Sequence, residues 1–434
     1  MRVLNPQTPR SHKPWARPAS CGCINAAMSF TPRLWAQRIL YAFAWSVCLV
    51  VCLVVFRLKV QGRDRVPRDG PFLLLGNHTS ALDPVWAGLA VPRFLKYMAS
   101  EALFRVPLLG WFIRNVGAFP KQKFVRDDTS METLERLYHA GNVIVMFPEG
   151  TRTWDGRSAP VRAGIGALIK RLNARVVFVR NKTGFLVQPR WAPYPRFVPV
   201  EVEYSEPFTF PESMSVEEIA AVVGEQIHVD PEVRARRPAF GRRRAVGLPD
   251  YLWACPRCFT LGGLTVNPDH MSQARCAACG GAWLVTVDAR LKDLRSGEEL
   301  SIARAFDGID GHFGSPAVVN PQRLAAEGVL LRAERATLTR LVSGKKRPEP
   351  VAEGEAVLTQ TRLSLRDAAG AERWGVELTA LRAVSIEIGN QLRLLPPNET
   401  LVLSPEGQST LLWSHVLRGW AHHQKGGVGE APPG

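Results

Sequence analysis

The sequence predicts an α/β domain over residues 61–230. An apolar, membrane-associated helix (33–60) precedes it, and two smaller modules follow (251–290 and 300–425). Three observations carry this reading. Short apolar strand-like runs alternate with helix-like runs between Arg63 and about Pro211. An uncharged run of 18 residues, Ile39 to Phe56, stands just before them. Two Cys-x2-Cys pairs follow, then short alternating strands closed by one helix. The 434 residues are too many for one typical domain. A composition of 46% hydrophobic and 22% charged residues excludes a disordered chain. The net charge of +16 points to an anionic partner, whether membrane surface, nucleic acid or phosphorylated substrate.

Residues 1–32 hold Arg2, Arg10, Lys13 and Arg17 without apolar periodicity, as expected of a basic flexible tail; Met28 is a second candidate start. At 1.5 Å per residue Ile39–Phe56 would reach about 27 Å, close to a bilayer core of roughly 30 Å. Arg33 and Arg38 before it and Arg57 and Lys59 after it suit a helix that crosses, and equally one that dips into one leaflet and returns. No small-residue cleavage site follows, which argues against a signal peptide. The competing reading is a buried helix of a soluble domain.

Within the α/β region, Phe72–Leu75, Val143–Phe147 and Arg175–Val179 read as buried strands, and Val198–Tyr204 alternates like a half-exposed one. Thr129–His139 reads as a helix, with Thr129 and Glu132 at capping-box spacing and Gly141 just past its end. Arg162–Leu172 reads as another, with Ile165, Leu168, Ile169 and Leu172 on one face. Residues 231–250 then form a basic linker, in which Arg234, Arg236, Arg237, Arg242, Arg243 and Arg244 make either a solvated loop or a membrane-surface patch.

Cys255-x2-Cys258 and Cys276-x2-Cys279, seventeen residues apart, have the spacing of a zinc ribbon (251–290). Four thiolates close a tetrahedron and leave no open position, so the site is read as structural Zn2+. His270, between the pairs, is read as a surface residue. The clustering of the eight cysteines argues against a secreted disulfide framework and for a reducing, cytosol-facing location. Farther on, Val357 to Leu365 alternates, Val384–Ile388 and Gln391–Leu395 flank a Gly389-Asn390 hairpin signal, and Thr400–Leu403 is another strand. Ser409–His422 reads as a helix. Antiparallel strands closed by one C-terminal helix suggest a small PH-like module over 300–425, an argument from shape alone.

Two polar turns hold the candidate chemistry. Asn77-His78-Thr79-Ser80-Ala81-Leu82-Asp83-Pro84 follows the apolar run Pro71–Leu75, and Phe147-Pro148-Glu149-Gly150-Thr151-Arg152 follows Val143–Phe147. A histidine suits proton transfer near neutrality, better so when a carboxylate holds its other ring nitrogen. Asp83 before Pro84 is equally a good N-cap for the next helix. Gly150 permits close backbone approach, Arg152 can fork onto a phosphate, and Glu149 could order either.

Together Asn77-His78-x4-Asp83 and Phe147–Arg152 resemble the 1-acylglycerol-3-phosphate acyltransferase (glycerolipid acyltransferase) family, and Gly117-Ala118-Phe119-Pro120 resembles its second block. The likeness covers roughly residues 33–215. It implies a membrane-bound α/β acyltransferase domain moving an acyl group from acyl-CoA or acyl-carrier protein to the free hydroxyl of lysophosphatidate, with the active site at the cytoplasmic face of the cell membrane. His78 would take the hydroxyl proton and Asp83 would orient it. Lys123, Glu149, Gly150, Thr151 and Arg152 would bind the acceptor. Lys123 stands where the family has an arginine, which opens the alternative of a different lysolipid acceptor. A non-catalytic lipid-binding adaptor, or nucleic-acid binding through the ribbon and arginine linker, are the readings from other classes.

Overall fold

The computed structural model describes residues 32–121, 127–162, 164–236, 238–342, 347–386 and 390–425. Residues 1–31 of the expected tail, Lys123, Arg237 and Gly389 of the expected hairpin lie outside them.

The α/β domain is built on a seven-stranded sheet of β1 (Lys59–Gln61), β2 (Phe72–Gly76), β3 (Leu95–Ser100), β4 (Ala118–Lys121), β5 (Val143–Met146), β6 (Val176–Asn181) and β7 (Glu201–Tyr204), ordered β1-β7-β6-β2-β5-β3-β4. Strands β2 to β6 are mutually parallel; β7 runs antiparallel to β6 and parallel to β1. All five residues of β2 are buried. That is why it reads as an unbroken apolar run, as strands covered on both faces do. Phe72 and Leu74 enter one core, Leu73 and Leu75 the other, by the two-residue side-chain period. Each such side chain contributes about 1.5–3 kcal/mol by leaving water.

The helices around the sheet are α1 (Pro32–Val54), α2 (Asp83–Gly88), α3 (Glu101–Phe104), α4 (Pro107–Asn115), α5 (Asp128–His139), α6 (Gly164–Leu172), α7 (Gly184–Val187) and α8 (Val216–Ile227). α5, α6 and α8 cover one face through Leu134, Tyr138, Leu168, Ile169 and Val223. Two local expectations change. The α5 cap is Asp127, whose carboxylate accepts from Ser130 N at 3.0 Å and Ser130 Oγ at 2.5 Å; Thr129 lies inside the first turn. Asp83 is not the cap of α2 but its first residue, behind Leu82. Its carboxylate is engaged elsewhere.

α1 is long and apolar enough to cross a membrane over Trp35–Val54, and it is largely exposed. It does not stand away from the domain. Gln37 Nε2 donates to Asn115 Oδ1 (3.3 Å), Tyr41 Oη donates to the Arg93 carbonyl (3.1 Å), and Cys52 is buried. Just past the helix, Phe56 packs edge-on to Trp86 (6.1 Å). The opposite face leaves Trp35, Ile39, Phe43, Val47, Val50 and Val54 exposed, at helical spacing.

After α9 (Leu248–Tyr251) comes a five-stranded antiparallel sheet of β8 (Leu264–Val266), β9 (Gln273–Cys276), β10 (Ala282–Val285), β11 (Arg290–Asp293) and β12 (Glu299–Ser301), ordered β12-β11-β10-β9-β8. α10 (Ile302–Phe313) and α11 (Pro321–Glu327) lead to a second seven-stranded sheet: β13 (Val329–Arg340), β14 (Glu349–Thr359), β15 (Arg362–Arg366), β16 (Glu372–Glu377), β17 (Ala383–Ile386), β18 (Leu392–Leu395) and β19 (Leu401–Pro405), ordered β16-β15-β14-β13-β19-β18-β17. α12 (Thr410–Gln424) closes it, burying Leu412, Trp413, Val416 and Leu417. The alternation from Val357 to Leu365 is not one strand. It turns between β14 and β15, pairing Leu358 with Leu363, because the Thr359 hydroxyl accepts from Arg362 N (3.0 Å) and donates to its carbonyl. One apolar core runs without a break from the α/β sheet through the five-stranded sheet to this module.

Candidate active site

The two polar turns are far apart in sequence and adjacent in space for a topological reason. β2 and β5 are parallel neighbours with Leu75 opposite Met146, so their C-terminal ends lie side by side. β6 flanks β2 on its other side and ends at Asn181. The chain leaves β2 toward one side for β3 to β5 and returns on the other for β6, the arrangement that opens a crevice at strand ends. Asn77 and Asn181 tie the two ends together: Asn77 Nδ2 donates to the Asn181 carbonyl (3.0 Å), and Asn181 N donates to Asn77 Oδ1 (2.7 Å).

His78 Nδ1 lies 2.9 Å from Asp83 Oδ2. The same oxygen accepts from Thr79 N at 2.6 Å and Ser80 N at 2.7 Å, and Oδ1 accepts from Asn181 Nδ2 at 2.5 Å. Asp83 is 1% exposed. With four partners converging on its two oxygens, the Asp83 carboxyl group is fully engaged and fixes the imidazole. The His78 ring stacks on Phe147 at 4.4 Å, so the second turn packs the ring that the first one holds.

Glu149 does not face outward. Its carboxylate accepts from His78 N (3.0 Å) and Ala159 N (3.2 Å) and is 2% exposed, so it braces the histidine turn from beneath. Burial pushes its pKa from 4.5 up to about 8, against the pull of those two backbone donors. As pH rises the unfolded chain releases this proton first, so the stability this group contributes is greatest below about 4.5 and declines up to about 8. Glu149→Gln removes that decline while losing one acceptor. Its thermal midpoint relative to wild type is therefore expected to climb from about pH 5 to about pH 8. A flat difference across that range would refute the raised pKa.

Gly150 adopts φ +74°, the left-handed region that glycine supplies without strain, and its N–H donates to the Phe147 carbonyl (3.0 Å). The turn then delivers Thr151, buried, and Arg152, half-buried. The Arg152 guanidinium has no hydrogen-bond or ion-pair partner among the described residues. Burial lowers its pKa and the nearby Asp83 charge opposes the shift. Arg152 therefore stays cationic beside the histidine.

Three residues not anticipated in the sequence complete the site. Asn181 holds Asp83. Arg190 donates from Nη1 to Thr151 Oγ1 (2.7 Å) and the Arg152 carbonyl (3.0 Å), and from Nη2 to the Ile386 carbonyl at the end of β17 (2.5 Å), while lying 4.4 Å over Trp154. Tyr251 donates to Asp155 Oδ2 (2.9 Å) and stacks on Trp154 (5.8 Å) and Phe306 (5.0 Å). Residues from α9 and the β-rich module thus hold the loop that carries Arg152. A polar asparagine closing an apolar strand was a usable signal for Asn181; nothing local marks Arg190 or Tyr251.

The four expected metal ligands come together. Cys255, Cys258, Cys276 and Cys279 place their Sγ atoms within 4.8 Å of one another, with 3.8 Å between Cys255 and Cys279 and 3.7 Å between Cys258 and Cys276. Tetrahedral thiolates about 2.3 Å from a metal stand roughly 3.8 Å apart, so the set fits such an ion and is too open for disulfides.

Residues 57–184 match the family model described as Acyltransferase. The chain is 27% identical over 152 residues to 1-acyl-sn-glycerol-3-phosphate acyltransferase BAT2, chloroplastic, of Brassica napus, covering 34% of this chain and 40% of that protein. It is 27% identical over 126 residues to the Bacillus subtilis 1-acyl-sn-glycerol-3-phosphate acyltransferase, covering 29% and 62% respectively. Against a crystal structure of the 1-acyl-sn-glycerophosphate (LPA) acyltransferase of Thermotoga maritima, the identity is 22% and the TM-score 0.38, over 46% of this chain and 82% of that one. The chain spans less than two thirds of the length of these two curated relatives. The segment that carries the His78 and Arg152 turns is an acyltransferase-family domain, like that of the 1-acylglycerol-3-phosphate acyltransferases.

Proposed function

We propose that the protein transfers a fatty acyl group from a thioester to the free hydroxyl of lysophosphatidate, giving phosphatidate. The observation that carries this reading is the 2.9 Å contact between His78 and the buried Asp83, beside the cationic Arg152 at the ends of neighbouring strands. Asp83 holds Nδ1, so Nε2 is the nitrogen that takes the proton of the acceptor hydroxyl. The hydroxyl oxygen bonds to the thioester carbonyl carbon, the carbon–sulfur bond breaks, and the proton passes from His78 to the departing thiolate. No protein nucleophile is needed. Arg152 would pair with the acceptor phosphate, with Lys123 as a second cation, while Glu149, Gly150 and Thr151 shape the turn. The donor would be acyl-CoA or acyl-carrier protein. The full set of His78, Asp83, Glu149 and Arg152 favours turnover over a lipid-binding adaptor.

Arg152 is testable separately from the proton transfer. A hydrogen bond to a charged group is worth about 1.5–3 kcal/mol, so Arg152→Ala should raise KM for lysophosphatidate roughly 10- to 150-fold. Its kcat should fall far less. An unchanged KM, measured with purified protein in mixed micelles, would remove Arg152 from the acceptor site. Acyl transfer to lysophosphatidate tests the reading as a whole, and an inactive wild type with every lysolipid offered would overturn it.

The four cysteines would hold a structural Zn2+, which supplies no chemistry to the transfer. The four-strand and three-strand meanders closed by α12 support a PH-like reading of the C-terminal module. The exposed apolar face of α1 supports attachment to a membrane; the site would lie at its cytoplasmic side. Side-on packing of α1 from Gln37 to Cys52, and of Phe56 just beyond it, favours a helix lying in one leaflet over one standing across both.

A further inference from the structure

The basic linker is sorted by the fold into two unlike groups. Arg234 pairs with Glu299 (3.0 Å) and Asp288 (3.7 Å), and Arg236 with Glu201 (2.5 Å). Arg244 is spent on backbone carbonyls, those of Gly241 (2.7 Å) and Val285. Arg242 and Arg243 are exposed and have no carboxylate partner among the described residues. Arg243 is held over the Tyr194 ring at 5.2 Å, from a backbone φ of +54° that a non-glycine residue seldom adopts. Beneath them Arg196 is 1% exposed, and its Nε and Nη1 have no hydrogen-bond partner among the described residues, which adds another poorly neutralised cation.

These charges border an apolar lip. Phe240 is 62% exposed and Phe197 46%, and the two are locked together by reciprocal backbone bonds, Phe197 N to the Phe240 carbonyl (2.7 Å) and Phe240 N to the Phe197 carbonyl (3.1 Å). Phe197 stacks on Phe56 (6.3 Å), two residues beyond the end of α1. The lip therefore adjoins the C-terminal end of α1, the helix that carries the exposed apolar face. Burying large side chains while setting at the rim two arginines without a carboxylate partner among the described residues is what a bilayer interface with anionic headgroups rewards. A protein partner would need a matching concave surface; a membrane needs only this edge.

We propose that Phe197, Phe240, Arg242 and Arg243 form a second membrane-docking lip that inserts beside α1 into an anionic lipid surface. The two contacts fix the rotation of the domain about α1, and so hold the His78 crevice at a constant height above the headgroups. This rests on the reading of α1 as a membrane helix. The test uses the full chain in nanodiscs of phosphatidylcholine with or without phosphatidylglycerol. Photoreactive benzoylphenylalanine is placed at position 240, at position 43 on the outer face of α1, or at Arg335 on the β-rich module, which is 78% exposed in its side chain.

Lipid adducts are expected at 43 and 240 and not at 335. The adduct at 240, unlike that at 43, should drop roughly tenfold in Arg242→Glu/Arg243→Glu or without the anionic lipid. Lipid labelling at 43 with none at 240 overturns the lip and leaves α1 intact. Labelling at neither position overturns the membrane reading itself. Adducts from 240 to another polypeptide overturn the lip in favour of a protein partner.

Discussion

His78→Ala is expected to cut kcat for acyl transfer to lysophosphatidate by a factor of about 10² to 10⁴, the usual contribution of a positioned general base. The ring is half-buried, and the variant loses its contact with Asp83 and its stack on Phe147. It keeps the backbone bonds that shape the turn, His78 N to Glu149 and Thr153 N to the His78 carbonyl. Binding should therefore survive, with KM for the acceptor changing little and the thermal midpoint near that of wild type. Rates from mass-spectrometric product counting, alongside a melting curve, separate the outcomes. A variant that folds normally and retains more than about a tenth of the wild-type rate would show that His78 is not the base.

The second large effect concerns the cysteines. Purified protein is expected to carry one zinc per chain, and Cys255→Ser/Cys276→Ser is expected to lose it. Structural zinc in small ribbons is worth about 10–16 kcal/mol in apparent folding free energy, so the module should not hold together without it. The loss should also reach the acyltransferase site. Tyr251, four residues before Cys255, donates to Asp155, and Arg157 bridges Asp155 to Asp307 on α10. Acyl transfer should drop with metal content, chiefly through a higher acceptor KM, because these contacts hold the loop after Arg152. Metal analysis showing unchanged zinc in the double variant would refute the ribbon. Zinc loss with intact activity would refute the coupling.

Much of the fold was legible because the central strands obey a simple rule. β2, β5 and β6 are covered on both faces, so they stand out as unbroken apolar runs, and α6 shows its buried stripe at 3.6-residue spacing. The cysteine spacing named its own geometry. Local capping was less legible, since Thr129 and Asp127 both offer an oxygen and only the path of the preceding strand chooses. Asp83 misled for a related reason. Aspartate before proline satisfies a cap in isolation, but in the fold its oxygens meet Thr79 N, Ser80 N, His78 and Asn181.

By itself the sequence determined the parts: an apolar helix, an α/β alternation with a histidine turn and an arginine turn at strand ends, and four thiols at ribbon spacing. Periodicity and spacing are local properties, and a single chain displays them directly. Only the tertiary structure decided the rest. It placed Glu149 under His78 as a brace, brought Asn181 across to Asp83, and reached from the β-rich module through Arg190 to the Arg152 turn. It also laid α1 along the domain and left Arg242 and Arg243 without a carboxylate partner among the described residues. Each of these depends on residues far apart in the chain, through strand order and which charges find partners, and none is written in any local pattern.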